Sequence, residues 1–343
     1  MAGKETQPSL LRWYIDTRAL TSSTSSLPLV ESLKPGDQET VAKFHFLPDR
    51  HMSLASYLLK YLFIHRACRV PWCEVEISRT PAPHRRPCFV SGDGHANIEF
   101  NVSHQASLVA LAGTILPPST VSPDSVFAQP LPSSTPVPSI PQLGIDITCV
   151  DERRGKKASS TPSTHQALVE FVDIFAEVFS ARELDAIKTA RGPSLPPGVQ
   201  QNEMEIRYGV RMFYTYWALK EAYIKMTGEA LLASWLRELE FTNVVAPKPL
   251  DTPEQGSPWG QPYTGVQTSL RGAVVEDVRV EIVAFEKDYL VATAARGGRL
   301  GSESRAAGGL ESVDPWQSLE KIDIEGDITH CATGSCGMAC PSL

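Results

Sequence analysis

The stretch Trp217-Ala218-Leu219-Lys220-Glu221-Ala222-Tyr223-Ile224-Lys225 sets the strictest condition on how this chain can fold. Its composition is helical, and at about 100° per residue Phe213, Trp217 and Ile224 fall on one apolar arc. Lys220 lies inside that arc, and Glu221 lies on its flank beside Lys225, one turn further on. A lysine and a glutamate turned toward a core are costly unless they hold each other, a metal or a ligand. Taken alone, Glu221 and Lys225 also read as an i,i+4 surface pair worth roughly a few tenths of a kcal/mol. The choice depends on the rest of the chain.

Leu143-Gly144-Ile145-Asp146-Ile147-Thr148 alternates apolar and polar residues, so a strand here buries Ile145 and Ile147 and turns Asp146 and Thr148 the other way. A carboxylate between β-branched residues, with an inward glutamate far downstream, suits a hard-cation site. Mg²⁺ is typically held by one or two carboxylates plus substrate phosphates. Glu99-Phe100-Asn101-Val102-Ser103-His104-Gln105 reads as a strand end, with Phe100 and Val102 on one face and Asn101 and Ser103 on the other. Upstream, Ser78 to Pro87 forms a rigid basic loop that holds Arg79 and the Arg86-Pro87 step.

In order, the R-P step, F-N-x-S-H, G-I-D-I and W-x-x-K-E-x-x-x-K resemble the 4'-phosphopantetheinyl transferases. Within that superfamily the chain is similar to the longer, monomeric Sfp-type enzymes, especially the broad-specificity enzymes of filamentous fungi. The resemblance runs from about Leu11 to Ala295. It implies an α+β fold of two similar tandem halves, a pseudo-dimer with the active site in the cleft between them. It also implies transfer of phosphopantetheine from coenzyme A to a serine of apo acyl or peptidyl carrier domains, releasing adenosine 3',5'-bisphosphate. Polyketide synthases, nonribosomal peptide synthetases and a lysine-pathway aminoadipate reductase are the implied acceptors.

By the same resemblance Asp146 and Glu221 match the metal-binding carboxylates, for Mg²⁺ or Mn²⁺. Glu221 would take the serine proton directly or through a metal-bound water. Lys225 would stabilise the leaving phosphate, with Lys220 touching the same anion. Arg79, Arg86, Asn101, Ser103 and His104 match coenzyme A contacts, and Lys43, Arg50 and His51 stand in the region that binds the 3'-phosphate. Thr148 departs from bacterial relatives, which place a second acid there, so water or a backbone oxygen must complete the metal shell. The competing reading is a non-catalytic scaffold that binds coenzyme A or a carrier. Asp146, Glu221 and Lys225 are all present, which speaks for catalysis. No P-loop supports a nucleotidyl transferase.

At 343 residues and 42% hydrophobic, the chain can bury one large core or two packed halves. The periodicity predicts strands at Leu11–Asp16, Ile98–Ser103, Leu108–Ile115, Leu143–Thr148, Val278–Phe285 and Tyr289–Ala295, and helices over Met52–Cys68 and Tyr208–Thr227. The order repeats, giving halves at 1–142 and 143–298, with a Pro/Ser-rich linker at 116–142 and a disordered tail at 299–343. A formal charge of −7 provides no field for nucleic acid, and no apolar run is long enough to span a membrane. The N-terminus lacks a secretory h-region, so a cytoplasmic enzyme is expected. Seven scattered cysteines fit reduced thiols, and Cys331, Cys336 and Cys340 lack the C-x-x-C pairs of a structural zinc site. Carrier proteins are acidic around the modified serine, so Arg182, Lys188, Arg191, Arg207 and Arg211 are the expected docking patch.

Overall fold

The expected alternation does build two sheets of the same plan. In the first half, β1 (Leu10–Asp16) is followed by α1 (Arg18–Ser23), α2 (Pro35–Ala42) and α3 (Leu47–Cys68). Then come β2 (Ile77–Arg79), β3 (Pro87–Ser91), β4 (Gly94–His95), β5 (Ile98–Gln105) and β6 (Leu108–Ile115). The second half holds β7 (Gln142–Cys149), α4 (His165–Asp173), α5 (Ala181–Lys188) and α6 (Gln201–Thr227). It continues with β8 (Leu239–Thr242), β9 (Gln267–Leu270), β10 (Ala273–Val274), β11 (Val278–Phe285) and β12 (Tyr289–Arg296). The computed structural model describes residues 9–80, 86–91, 94–95, 98–115, 141–151, 162–190, 201–229, 233–251, 256–306 and 314–338. The expected linker lies almost wholly outside them.

Strand order runs β1-β6-β5 in the first half and β7-β12-β11 in the second, antiparallel throughout. In each, the opening strand lies beside the second strand of the closing hairpin. One face of each sheet packs on the other sheet, with Ala110 and Ala112 of β6 in one cluster with Ile145, Ile147, Phe285 and Val291. The outer faces are covered by the long helices. Trp13, Val109 and Leu111 pack under α3, while Val280, Ile282, Leu290 and Ala292 pack under α6. Burying side chains of this size contributes about 1.5–3 kcal/mol each.

The tail is not disordered where it is described. After α7 (Glu303–Ala306), β13 (Trp316–Lys321) joins the first sheet in parallel beside β1, and a π-turn at Ile324–Ile328 leads into α8 (Thr329–Ala332). Ile322, Ile328 and Cys331 are buried in the cluster under α3. The reason is an edge: β1 pairs with β6 on one side only, and β13 satisfies the backbone groups on the other. A second correction concerns the thiols. Cys73 is disulfide-bonded, whereas Cys68, Cys88, Cys149, Cys331 and Cys336 are free.

The free edge of β7 is closed differently. Asn101 Oδ1, Ser103 Oγ and Gln105 Oε1, alternate residues of β5, accept hydrogen bonds from the backbone N–H groups of Ile145, Ile147 and Cys149 at 3.1, 3.1 and 2.8 Å. Side chains of one half thus take the place of a neighbouring strand for the other. Among the described residues no helix is long and apolar enough to cross a membrane.

Candidate active site

Asp146 sits mid-strand in β7, on the face that α6 covers, and is 5% exposed. The helix comes this close because Gly144 precedes it: a Cβ there would collide with Ala222 O and Met226 N of α6. Only glycine allows that approach of helix and strand backbones. Lys225 Nζ therefore reaches Asp146 Oδ1 at 2.7 Å and Ser103 Oγ at 2.8 Å. Ser103 donates to Asp146 Oδ1 at 3.2 Å, and Thr148 Oγ1 donates to Asp146 Oδ2 at 2.8 Å. Both carboxylate oxygens are thus held by residues of β5, β7 and α6.

Glu221, one turn before Lys225, is half-buried and makes no side-chain hydrogen bond among the described residues. Its pKa is pushed up to about 7, first by burial and then by the negative charge of Asp146, with Lys225 opposing. Two carboxylates crowded in this way carry more negative charge than one ammonium neutralises. That excess is what a hard cation with oxygen ligands relieves, so the residues present fit Mg²⁺.

The other predicted positions divide. His104 is exposed near the end of β5, on the face that carries Phe100 and Val102, and its pKa is lowered by desolvation, then by Lys225 and Lys60. Arg79 ends β2 and lies in the same electrostatic neighbourhood as Lys60 and Tyr57. Arg86 pairs with Glu99, and burial, then the charge of Arg296, lowers its pKa to about 10. Asn101 is drawn into the β5–β7 stitching. Its amide oxygen is committed to protein backbone.

Two expectations are overturned and a third is cut back. Lys220 is fully buried, donating to the carbonyls of Leu236 and Leu239 and pairing with Glu183 Oε2 at 2.9 Å, so it is closed off from any anion in a cleft. Glu183 also accepts from Phe241 N at 2.9 Å, which ties α5, α6 and β8 together. His51 is buried and bonds Thr21 Oγ1 and the Ser26 carbonyl, both at 2.9 Å, so it is unavailable to a 3'-phosphate. The expected docking patch loses Arg211 and keeps Arg182 and Arg207 on the surface. Arg211 is buried against the Pro247 and Lys287 carbonyls, Lys188 pairs with Asp173, and Arg207 pairs with Glu203. Arg182 is exposed, and Arg191 lies outside the described residues.

Two residues escaped sequence reasoning. Gln105 completes the side-chain ladder to β7, a role visible only once β5 and β7 are neighbours. Lys60 on α3 has its pKa lowered to about 8 by burial, with Asp37 opposing and Arg79 adding to the shift. Its ammonium stands 3.8 Å from the Tyr57 ring centroid. Its position in an apolar helical run was the available signal.

Two tandem α+β halves meet at a carboxylate–lysine cluster built from β5, β7 and α6. Sequence comparison agrees. The model of the family described as 4'-phosphopantetheinyl transferase, N-terminal, matches residues 21–116, and that of the 4'-phosphopantetheinyl transferase superfamily matches residues 142–269. The chain is 61% identical to 4'-phosphopantetheinyl transferase A of Aspergillus fumigatus, over 98% of this chain and 97% of that one. It is 52% identical to 4'-phosphopantetheinyl transferase NpgA of Emericella nidulans, over 96% of each. The human L-aminoadipate-semialdehyde dehydrogenase-phosphopantetheinyl transferase is 24% identical over 83% of this chain and 74% of its own. The chain belongs to the 4'-phosphopantetheinyl transferase superfamily and is a transferase of that kind.

Proposed function

We propose that this enzyme transfers the 4'-phosphopantetheine moiety of coenzyme A to a serine of apo acyl and peptidyl carrier domains, in the cleft where Ser103, Asp146, Glu221 and Lys225 converge. The observation that carries this reading is the Asp146–Lys225 contact at 2.7 Å beside a carboxyl whose pKa is raised toward neutrality. The serine oxygen attacks the pyrophosphate phosphorus that bears the pantetheine arm. The bond from that phosphorus to the bridging oxygen breaks, and adenosine 3',5'-bisphosphate leaves.

Each residue has work in this step. Glu221 takes the serine proton, directly or through an intervening water. Lys225 turns from Asp146 toward the phosphate that gains charge as it leaves. Asp146 and Glu221 would hold Mg²⁺, or Mn²⁺ in its place, which supplies charge neutralisation on the pyrophosphate when bound. His104, Arg79 and Lys60 provide a basic rim for the nucleotide end of coenzyme A. Lys43 and Arg50 remain the candidates for its 3'-phosphate.

We further propose acceptors in polyketide synthases and nonribosomal peptide synthetases. The aminoadipate reductase of lysine synthesis is a third, suggested by the name of the human relative. Both halves lie on one chain, which supports a monomer, and action in the cytoplasm is part of the same proposal. The test is incubation with coenzyme A, Mg²⁺ and an apo carrier domain, followed by intact mass. Addition of one phosphopantetheine to the carrier is expected. An unchanged carrier mass across several carrier classes would leave only the non-catalytic scaffold.

A further inference from the structure

The C-terminal segment brings two thiols to a histidine that takes no part in the site just described. His65, in the last turn of α3, is fully buried, Cys331 in α8 is buried, and Cys336 is half-buried. Their ligand atoms all lie within 4.8 Å of one another. The ring is already oriented. The chain turns at Arg69 into the left-handed region (φ 55°), and the Val70 carbonyl that follows accepts from His65 Nδ1 at 2.6 Å. That bond fixes the tautomer and leaves the Nε2 lone pair aimed at Cys336 Sγ, 3.3 Å away. Metal-bound histidines are held in the same manner, with one nitrogen on a backbone carbonyl and the other on the ion.

We propose that His65, Cys331 and Cys336 form a thiolate–imidazole site for zinc, with water in the fourth position, which fastens the C-terminal segment to α3. Two thiolates and one neutral imidazole select zinc over magnesium or calcium. With Zn–S of about 2.3 Å and Zn–N of about 2.0 Å, ligand atoms in a tetrahedral site stand roughly 3.5–3.8 Å apart. Small side-chain adjustments bring the three atoms from the observed envelope to that spacing. Zinc, two thiolates and a neutral ring sum to zero charge, which suits a buried site. Binding releases the two thiol protons to solvent. Sequence spacing hides such a site, because one ligand comes from residue 65 and the others from more than 260 residues later.

The test uses the full chain, purified without air or reductant so that the Cys73 disulfide stays closed and the free thiols stay free, and reads metal by elemental analysis. About one zinc per chain is expected, and Co²⁺ in its place should give sulfur-to-cobalt charge-transfer absorption with tetrahedral d–d bands. Cys336→Ser should remove the charge-transfer intensity of one thiolate and weaken zinc binding by at least about tenfold. A strong chelator should lower the melting temperature of the native chain and not that of Cys336→Ser. If the variant fails to fold, the cobalt spectrum of the native chain decides. Failure of the chain, with its free thiols intact, to retain zinc or cobalt after incubation with an excess overturns the proposal. So does a cobalt spectrum without sulfur charge transfer, or one unchanged by Cys336→Ser. Transfer activity is not the readout, so the outcome is independent of the reading of the Asp146 cluster.

Discussion

The two halves share a strand order but seat their long helices over different strands. α3 lies over β6 and β5 and meets β1 only slightly, whereas α6 lies chiefly over β7, its sheet's opening strand, and then over β12. The glycines record the difference. In the first half a Cβ on Gly113 would meet the Phe63 ring at 2.6 Å, a side chain of α3. In the second half a Cβ on Gly144 would strike the backbone of α6 itself. Bringing helix backbone onto strand backbone is what sets Glu221 and Lys225 over Asp146. Among the described residues the first half has no such approach, and it contributes Ser103 from a strand.

The halves also differ in what completes them. The first borrows β13 and the buried Ile322, Ile328 and Cys331 from the C-terminal segment. The largest effect is therefore expected from ending the chain after Gly298. Losing these side chains and Trp316 should cost on the order of 5 kcal/mol, comparable to the whole stability of a domain. The truncated protein should show no cooperative melt. A sharp transition near the native temperature would mean that the first half stands without its fourth strand.

Next come the carboxylates of the second half. Asp146→Ala and Glu221→Gln should each lower transfer more than about a thousandfold, because charge stabilisation of several kcal/mol is at stake. Their effects on stability should part. The folded pKa of Glu221 is raised from 4.5 to about 7, so the folded chain binds the extra proton and stability falls as pH rises through that window. Glu221→Gln removes this penalty, and without metal at pH 8 it should melt higher than the native chain, by on the order of 1 kcal/mol. A lower melting temperature at pH 8 would show that the ionised carboxylate is held by favourable partners.

The glycine comparison gives a smaller, paired test. Gly144→Ala should displace α6, costing about 1–3 kcal/mol and most of the transfer rate. Gly113→Ala meets the buried ring of Phe63, which packs on Trp13 and Phe100, so its cost should fall on the packing under α3 and hence on stability, with transfer retained. Melting curves and carrier-labelling rates for both variants decide the matter. Equal losses of activity would remove the distinction between the halves.

Elements whose sequence alternates or repeats at helical spacing were legible. Leu108–Ile115 and Val278–Phe285 are found with the expected bounds, and the expected helix and strand that carry Lys225 and Asp146 are present. β13 was not legible because only Trp316 of its six residues is buried, so it carries no alternation to read. Lys220 shows a different limit. The helical wheel turned it inward correctly, but its partner Glu183 lies on another helix, and no local pattern distinguishes a buried ion pair from a ligand contact. Asn101 and Ser103 have polar faces that suit phosphates and backbone N–H groups equally. Only the adjacency of β5 and β7 gives them to the backbone.

The finest test lies at Thr148. Its hydroxyl donates to Asp146 Oδ2 at 2.8 Å, while Lys225 and Ser103 occupy Oδ1. A hydroxyl that donates to a carboxylate orients it and withdraws some of its charge, without taking a place beside the cation. Thr148→Ala should therefore reduce transfer by up to about tenfold, the scale of an outer contact, through a higher Mg²⁺ concentration for half-activity. Thr148→Glu restores the acid of bacterial relatives and should lower that concentration, provided the added charge is met by the cation. Titrating Mg²⁺ against rate for the three proteins separates the cases. A loss in Thr148→Ala as deep as that of Asp146→Ala would make the hydroxyl a direct ligand. A change in rate with no change in Mg²⁺ demand would place its influence on the orientation of Asp146 toward Lys225.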